Sequence, residues 1–277
     1  MNKKLLVSLC IGVPAVWTAL SFSIDRISPP DDPISEKKIW IDADLAVGMK
    51  RIGRPGYSDV DDAYAVLQLL KSDAVDIIGM SAVFGNTSLE NADSLLRVMV
   101  QKFPERPIPV FRGASQAIDL RNVESNPAVE ALAKSLQAQE MTVLAIGPAT
   151  NIGLLLLKYP ELSHRIKEVV LVAGRRSSTD YFEIGNKGRR APDLNFDLDN
   201  LAFQLLFQHE VPVTLCPFEI SNKVWIGKKQ LDQLAAGDQH TAWLSGHSQP
   251  WLQQWIDQGE TGFNPFDVLA SHYLIAA

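Results

Sequence analysis

The stretch 39-IWIDADLAVGMKRIGRPGYSDVDDAYAV-66 decides how the rest of the chain is read. An apolar run, strand-like in length, ends in two acids one residue apart, Asp42 and Asp44. A Gly-, Arg- and Pro-containing segment follows that suits neither helix nor strand. Asp59, Asp61 and Asp62 then crowd together at the head of a second apolar run. There Ala63, Val66, Leu67 and Leu70 recur at helical spacing. The unit is strand, long loop, helix, with five carboxylates at the junction. Such acids repel one another unless a cation offsets them, and a hard divalent ion with oxygen ligands is the simplest answer. Carboxylates and carbonyls suit Ca2+ or Mg2+, and the lack of clustered Cys and His argues against Zn2+. A purely structural account also exists. Asp59 would be the N-cap, and Asp61 and Asp62 first-turn acids favoured by the helix dipole. That account leaves Asp42 and Asp44 unexplained, so the metal reading is preferred.

The same alternation continues outward. Strand-like apolar runs at 38–43, 75–85, 108–113, 142–148, 166–174 and 211–217 alternate with helical patterns at 61–72, 89–103, 128–139, 149–160 and 200–210. Strands that are apolar without alternation imply a parallel sheet covered on both faces. The expected fold is therefore α/β: an open, mostly parallel central sheet with helices on both faces, Rossmann-like. Ligands of such sheets bind beyond the carboxyl ends of the strands. The residues there are Asp42 and Asp44; Gly85-Asn86; Gly147 to Asn151; Ala173 to Arg175; and Cys216 to Glu219. Acids, amides and glycines recur at the rim where function is expected.

A hydrophobic content of 46% over 277 residues suffices for one large domain with a substantial core. The net charge of −6 argues against a nucleic-acid partner. Arg175-Arg176 and Lys187-Arg189-Arg190 are local basic clusters whose simplest reading is a solvated loop. Lys3-Lys4 before the apolar run from Leu5 to about Ile24 reads as an export signal or an uncleaved anchor over residues 1–25. Cys10 follows Leu9 rather than a small residue, which speaks against lipidation. Residues 26–36, with "SPPDDP" inside them, form a linker, and the folded domain is expected over 37–277. The expected location is outside the cytoplasm, periplasmic or membrane-anchored and facing outward. With the signal removed Cys216 is the lone cysteine, so no internal disulfide is available. Self-association into a homo-oligomer is left open.

At this point a family pattern becomes visible. The strand ending in Asp-x-Asp and the Asp-Asp that opens a helix resemble the signature of the inosine–uridine-preferring nucleoside hydrolase family, with "LAVGMKRIGRPGYSDV" in place of a turn of about three residues. "GMSAVFGNTSLENA", "AIGPATNIGLLL", "VVLVAG" followed by "DLNFDLDNLA", and "FNPFDVLA" are similar to further family segments, in family order across residues 38–275. The resemblance implies water-driven cleavage of the N-glycosidic bond of a small-molecule nucleoside, with Ca2+ as cofactor. It implies Asp44 as the catalytic base and as a metal ligand, with Asp62, the Thr150 carbonyl and Asp267 completing the metal shell. Asp61, Asn86, Asp193 and Asn195 would grip ribose hydroxyls. Asp42 is left as structural support and Asp59 as a helix cap.

Three departures stand out. Many family members carry a histidine immediately before the late Asp, thought to protonate the departing base; here that residue is Phe266. Asp193 stands where Glu is commoner. The chain stops at "SHYLIAA", where the family usually continues with further strand, so the resemblance implies a shortened or divergent member. Trp251 and Trp255 lie four apart on one helix face, read either as an aromatic wall for a nucleobase or as the buried side of a lid helix. Two other readings fit parts of the sequence. "IWIDAD" also resembles the haloacid-dehalogenase-like phosphotransferases, but Leu45-Ala46 do not continue that motif. The missing histidine also fits an exported nucleoside- or ribose-binding relic without catalysis.

Overall fold

β1 (Lys37–Ala43) is apolar throughout its second half, and the fold is organised around it. In the computed structural model, which describes residues 36–51, 53, 55–103, 107–185 and 189–276, β1 lies inside a six-stranded sheet. Its partners are β2 (Val75–Ala82), β3 (Val110–Arg112), β4 (Met141–Ala145), β5 (Ile166–Leu171) and, after a small hairpin of β6 (Phe182–Ile184) and β7 (Arg189–Ala191), β8 (Val213–Leu215). The order is β3-β2-β1-β4-β5-β8, and every pairing in this sheet is parallel. All six strand-like runs of the sequence are in it. Connections run one way from β1 to β2 and β3, and the other way from β4 to β5 and β8. The strand order therefore reverses at β1/β4, and a crevice opens beyond the carboxyl ends of those two strands.

Alternate residues of β1 enter opposite halves of the core. Ile39 and Ile41 pack with α1 (Asp61–Leu70), α2 (Leu89–Gln101) and, at the end of the chain, α10 (Val268–Ala276). Trp40 faces the other way, into the layer made by α3 (Pro127–Ala138), α4 (Thr150–Lys158) and α6 (Asn200–Gln208). The helices begin where side chains satisfy free backbone N–H groups. Ser88 caps α2, Asn126 with Pro127 starts α3, and Asp199, which follows the short α5 (Leu194–Leu198), caps α6.

A third apolar cluster sits over the crevice. After α7 (Phe218–Ser221), it is built by β9 (Ile226–Gly227), α8 (Lys228–Ala235), the 18-residue α9 (Gln239–Ile256) and β10 (Gly262–Phe263). Its centre is Val60, Leu231, Trp251, Leu252, Trp255 and Phe263. The segment read as a lid helix is thus α9. The expected signal segment and nearly all of the linker lie outside the described residues. Among the described residues no helix is long and apolar enough to cross a membrane.

One irregularity matters for the site. The β1–β2 register shifts between Ile39 and Trp40, which brings Gly79 opposite Trp40. A Cβ on Gly79 would lie 2.6 Å from Trp40 Cζ3. Trp40 stacks on Phe111 at 5.6 Å, and its indole N–H donates to Ser81 Oγ at 2.8 Å. Gly79→Ala is therefore expected to destabilise the fold by about 1–3 kcal/mol through overpacking, read as a lower urea midpoint. An unchanged midpoint would show that Trp40 is free to move aside.

Candidate active site

The two acids of β1 play different parts. Asp42 is buried, and its Oδ1 accepts from Ser81 Oγ at 2.5 Å and from Asn151 Nδ2 at 2.8 Å. Burial raises its pKa to about 6 against those two hydrogen bonds. It braces β1, β2 and α4, as expected, and does not line the crevice. Asp44 lies just beyond the strand end and does line it. Its Oδ2 accepts from the Asn86 backbone N–H at 2.6 Å. Burial pushes it up to about 7, with that N–H opposing. The turn after β2 has to press its backbone onto this carboxylate. Gly85 does so at φ +153°, and a Cβ there would lie 2.0 Å from Asp44 Oδ2.

Asp61 and Asp62 open α1, where the helix dipole favours them. Asp61 Oδ2 accepts from the Asp267 backbone N–H at 3.3 Å, which ties α1 to the segment before α10. Burial raises Asp61 to about 6. Asp62 and Asp267 are driven well above the carboxylate range, first by burial and then by the neighbouring acids.

Asp59 corrects the sequence reading. The helix starts one residue later than a cap at Asp59 requires, its N-cap is Val60, and no side chain caps it. The Asp59 carboxylate instead lines the crevice and accepts from Asn86 Nδ2. Oxygens of Asp59, Asp61 and Asp62 lie within 4.8 Å of one another. Asp62 Oδ1 is buried with no hydrogen-bond partner among the described residues. An orphaned carboxylate oxygen amid other acids is the donor set that a hard cation satisfies. Thr150, expected to lend its carbonyl, starts α4 and donates its hydroxyl to Asp199 Oδ2 at 2.7 Å. It backs the strand ends and is not part of the crevice wall.

The amides complete the floor. Asn86 Nδ2 is held by Asp59 and, at 3.3 Å, by Asp62 Oδ2. Asn195 Nδ2 donates to the carbonyls of Ile146 at 3.2 Å and Val172 at 2.9 Å. Asp193 Oδ2 accepts from Gly174 N–H at 2.7 Å, and burial raises this acid. With their N–H groups spent on protein, both amides keep only an acceptor oxygen to offer. The floor is rich in acceptors from end to end. A ligand seated there must bring donors or positive charge, as a metal ion, a polyol or a cationic sugar ring does.

The opposite wall is aromatic. Phe182 of β6 meets Phe266 edge-on at 5.1 Å and lies 5.8 Å from Phe218 and 6.1 Å from Trp255. Trp251 and Trp255, 6.0 Å apart, are buried in the third cluster and line the crevice as well. Wall and lid helix are therefore the same structure. Trp243 points elsewhere, onto His247 and Lys102. The crevice encloses about 280 Å3, close to the lower end of small-molecule sites.

The long loop after β1 turns back on itself through a Lys50–Tyr57 bridge and an Arg51 N–H to Gly56 carbonyl bond of 3.0 Å. It is seated on α9: Tyr57 N–H donates to Gln254 Oε1 at 2.8 Å, and the backbone of Gly48 packs against that of His247. Sequence reasoning missed Phe182, which lies in a hairpin too short to show periodicity. The sequence leaves Arg51 either closing over the site or facing solvent, and reads Arg175 and Arg190 as solvated loop; all three line the crevice.

The family model of the inosine-uridine preferring nucleoside hydrolases matches residues 39–277. The chain belongs to that family. Among curated relatives, the pyrimidine-specific ribonucleoside hydrolase RihA of Salmonella typhimurium is 27% identical over 207 residues, 66% of this chain and 63% of that protein. An uncharacterised protein of Schizosaccharomyces pombe is 25% identical over 215 residues, 66% of this chain and 67% of its own. The chain thus spans under two thirds of the RihA length. Two solved structures share the fold. A plant nucleoside hydrolase has a TM-score of 0.71 at 18% identity, over 87% of this chain and 79% of its own. A purine-preferring ribonucleoside hydrolase from Gardnerella vaginalis has 0.70 at 20%, over 86% and 80%.

The raised carboxyls set a pH dependence. Asp42 and Asp61 near 6 and Asp44 near 7 in the fold, against about 4 unfolded, mean that the folded chain binds extra protons. Their contribution to stability is fully present below about pH 4 and is lost as pH rises through 6 and 7. The chelator-treated protein should therefore melt at lower temperature at pH 8 than at pH 5. A divalent cation should restore more stability at pH 8, where it no longer competes with protons. A melting temperature flat across that range and indifferent to cations would refute this account.

Proposed function

We propose that this protein is a calcium-dependent hydrolase that cleaves the N-glycosidic bond of nucleosides into base and ribose. The observation that carries the reading is the pairing of an acceptor-rich acidic floor with an aromatic wall across one crevice. Ribose hydroxyls suit the floor, at Asp61, Asn86, Asp193 and Asn195. A nucleobase suits the wall. N-glycosidic cleavage passes through an oxocarbenium-like sugar, and fixed carboxylates favour that positive charge over the neutral ground state. Ca2+ would be held by Asp44, Asp62 and Asp267, with the Thr150 carbonyl as the family resemblance implies. When bound, it would lower the pKa of a coordinated water. Asp44 is the group we assign to take a proton from the attacking water. Burial among other acids raises its proton affinity above that of an exposed carboxylate, the direction a general base needs. The basic, apolar N-terminal run supports export across a membrane, with cleavage or anchoring of the segment as alternatives.

Purified protein with Ca2+ and a panel of purine and pyrimidine nucleosides should release ribose. Asp44→Asn is expected to lower kcat by roughly 10²–10⁴-fold without lowering the melting temperature. Asp62→Ala is expected to lose bound calcium. Tight nucleoside binding with no ribose released would sink the hydrolase reading, and calcium retained in Asp62→Ala would sink the ligand assignment.

A further inference from the structure

We infer that Arg51, carried into the crevice by the long loop after β1, assists departure of the nucleobase. This rests on the hydrolase reading above. The problem it answers is chemical. Breaking the C1′–N bond leaves its electron pair on the base, and a base leaving as an anion is a poor leaving group unless that charge is met. Position 266 cannot meet it, because a phenyl ring has no proton to give. Among the described residues no histidine, lysine or tyrosine lines the crevice. The Cys216 thiol lines it but is buried, and burial holds its pKa at about 11.

The acids lie on the floor, where a bound cation would keep them ionised; three arginines stand on the wall, and their positions differ. Arg175 and Arg190 gather over the ring of Tyr181, at 5.1 and 4.4 Å, and Tyr181 is not a crevice residue. Arg51 lies 5.9 Å from the ring centre of Trp251, on the aromatic wall itself. It lines the same crevice as Asp59, Asp61 and Asp62 of the floor. The guanidinium therefore stands where the acidic floor meets the aromatic wall, which is where a bond between ribose and base must run. The loop's bridge and its seat on α9 fix the backbone that carries it.

The step balances without a proton donor in the protein. The water oxygen bonds C1′ and its proton passes to Asp44. The C1′–N pair goes to the base, which leaves as a delocalised anion and is protonated by solvent. Arg51 keeps its proton throughout, because a guanidinium does not deprotonate in this range. It acts as a fixed charge with N–H groups in a planar fork, suited to the in-plane N and O atoms of a base anion.

The test compares substrates that differ only in what leaves. Wild-type protein, Arg51→Ala and Arg51→Lys are assayed with Ca2+ on inosine, on uridine and on 4-nitrophenyl riboside, whose leaving group needs no help. Removing one preorganised donor costs roughly 10²–10³-fold, and Arg51→Ala should lose that much kcat/KM on both nucleosides. The loss on the nitrophenyl substrate should be under about tenfold, as expected when little leaving-group charge needs stabilising. Arg51→Lys, which keeps the charge, should fall between. Guanidinium at millimolar concentration should restore Arg51→Ala on nucleosides more than on 4-nitrophenyl riboside. An equal loss on all three substrates, or no selective rescue, would make Arg51 a structural residue and overturn the inference. If Arg51→Ala does not fold, Arg51→Lys decides by the same ratio. Wild-type protein that cleaves none of the three refutes the hydrolase reading itself, whereas cleavage of the nitrophenyl riboside alone keeps that reading and overturns the role of Arg51.

Discussion

Carboxylates taken out of water and pressed against one another are the constraint on which this structure depends. Asp44, Asp61, Asp62 and Asp267 are all buried, and each is pushed above its ordinary pKa chiefly by loss of solvent. A fold does not assemble such a group for its own stability, since each ionised member costs the others. The surrounding architecture is arranged to hold it. The strand order turns at β1/β4, so that a crevice opens there. Asp42 is held by Ser81 and Asn151 so that the next acid along faces outward. Gly85 lets a backbone N–H approach Asp44 where a side chain would collide.

Much of this was legible in the residues. The parallel sheet followed from six apolar runs without alternation, and the rim followed from what lies after each run. Asp42 and Asp44 were told apart by the family resemblance; two residues apart, they would share one face of a regular strand, and they part company because β1 ends at Ala43. The reading of Asp59 went wrong for a physical reason. An acid just before a helix is usually a cap, and only the backbone shows that Val60 takes that place. The charge is spent on the Asn86 amide instead. Phe182 was invisible because a three-residue strand has no period, and its importance comes from contacts with residues 36 to 84 positions away. Arg51 was half legible, as a loop residue either closing over the site or facing solvent. Its role depends on which way a Gly- and Pro-rich loop folds back, and the bridge between Lys50 and Tyr57 decides that.

The two sides of the crevice have different structural origins. The floor is made by strand ends and helix starts of the central sheet, where small shifts would break pairing or core packing. The wall is made by α9, the β6–β7 hairpin and the residue before Asp267, which pack into the smaller cluster around Trp255. The polar part of a ligand would thus meet the side fixed by the central sheet, and its apolar part the side built on the smaller cluster.

The seat of the long loop on α9 gives this division an evolutionary edge. Gln254 holds the loop backbone and lies one residue from Trp255 and three from Trp251, the two indoles of the wall. A mutation that rotates or shifts α9 to admit a larger or smaller group moves the loop with it. Variants that change what the pocket accepts would therefore travel through sequence space with compensating changes between residues 48 and 58. The two segments should drift together among descendants of this chain while the acidic floor stays still.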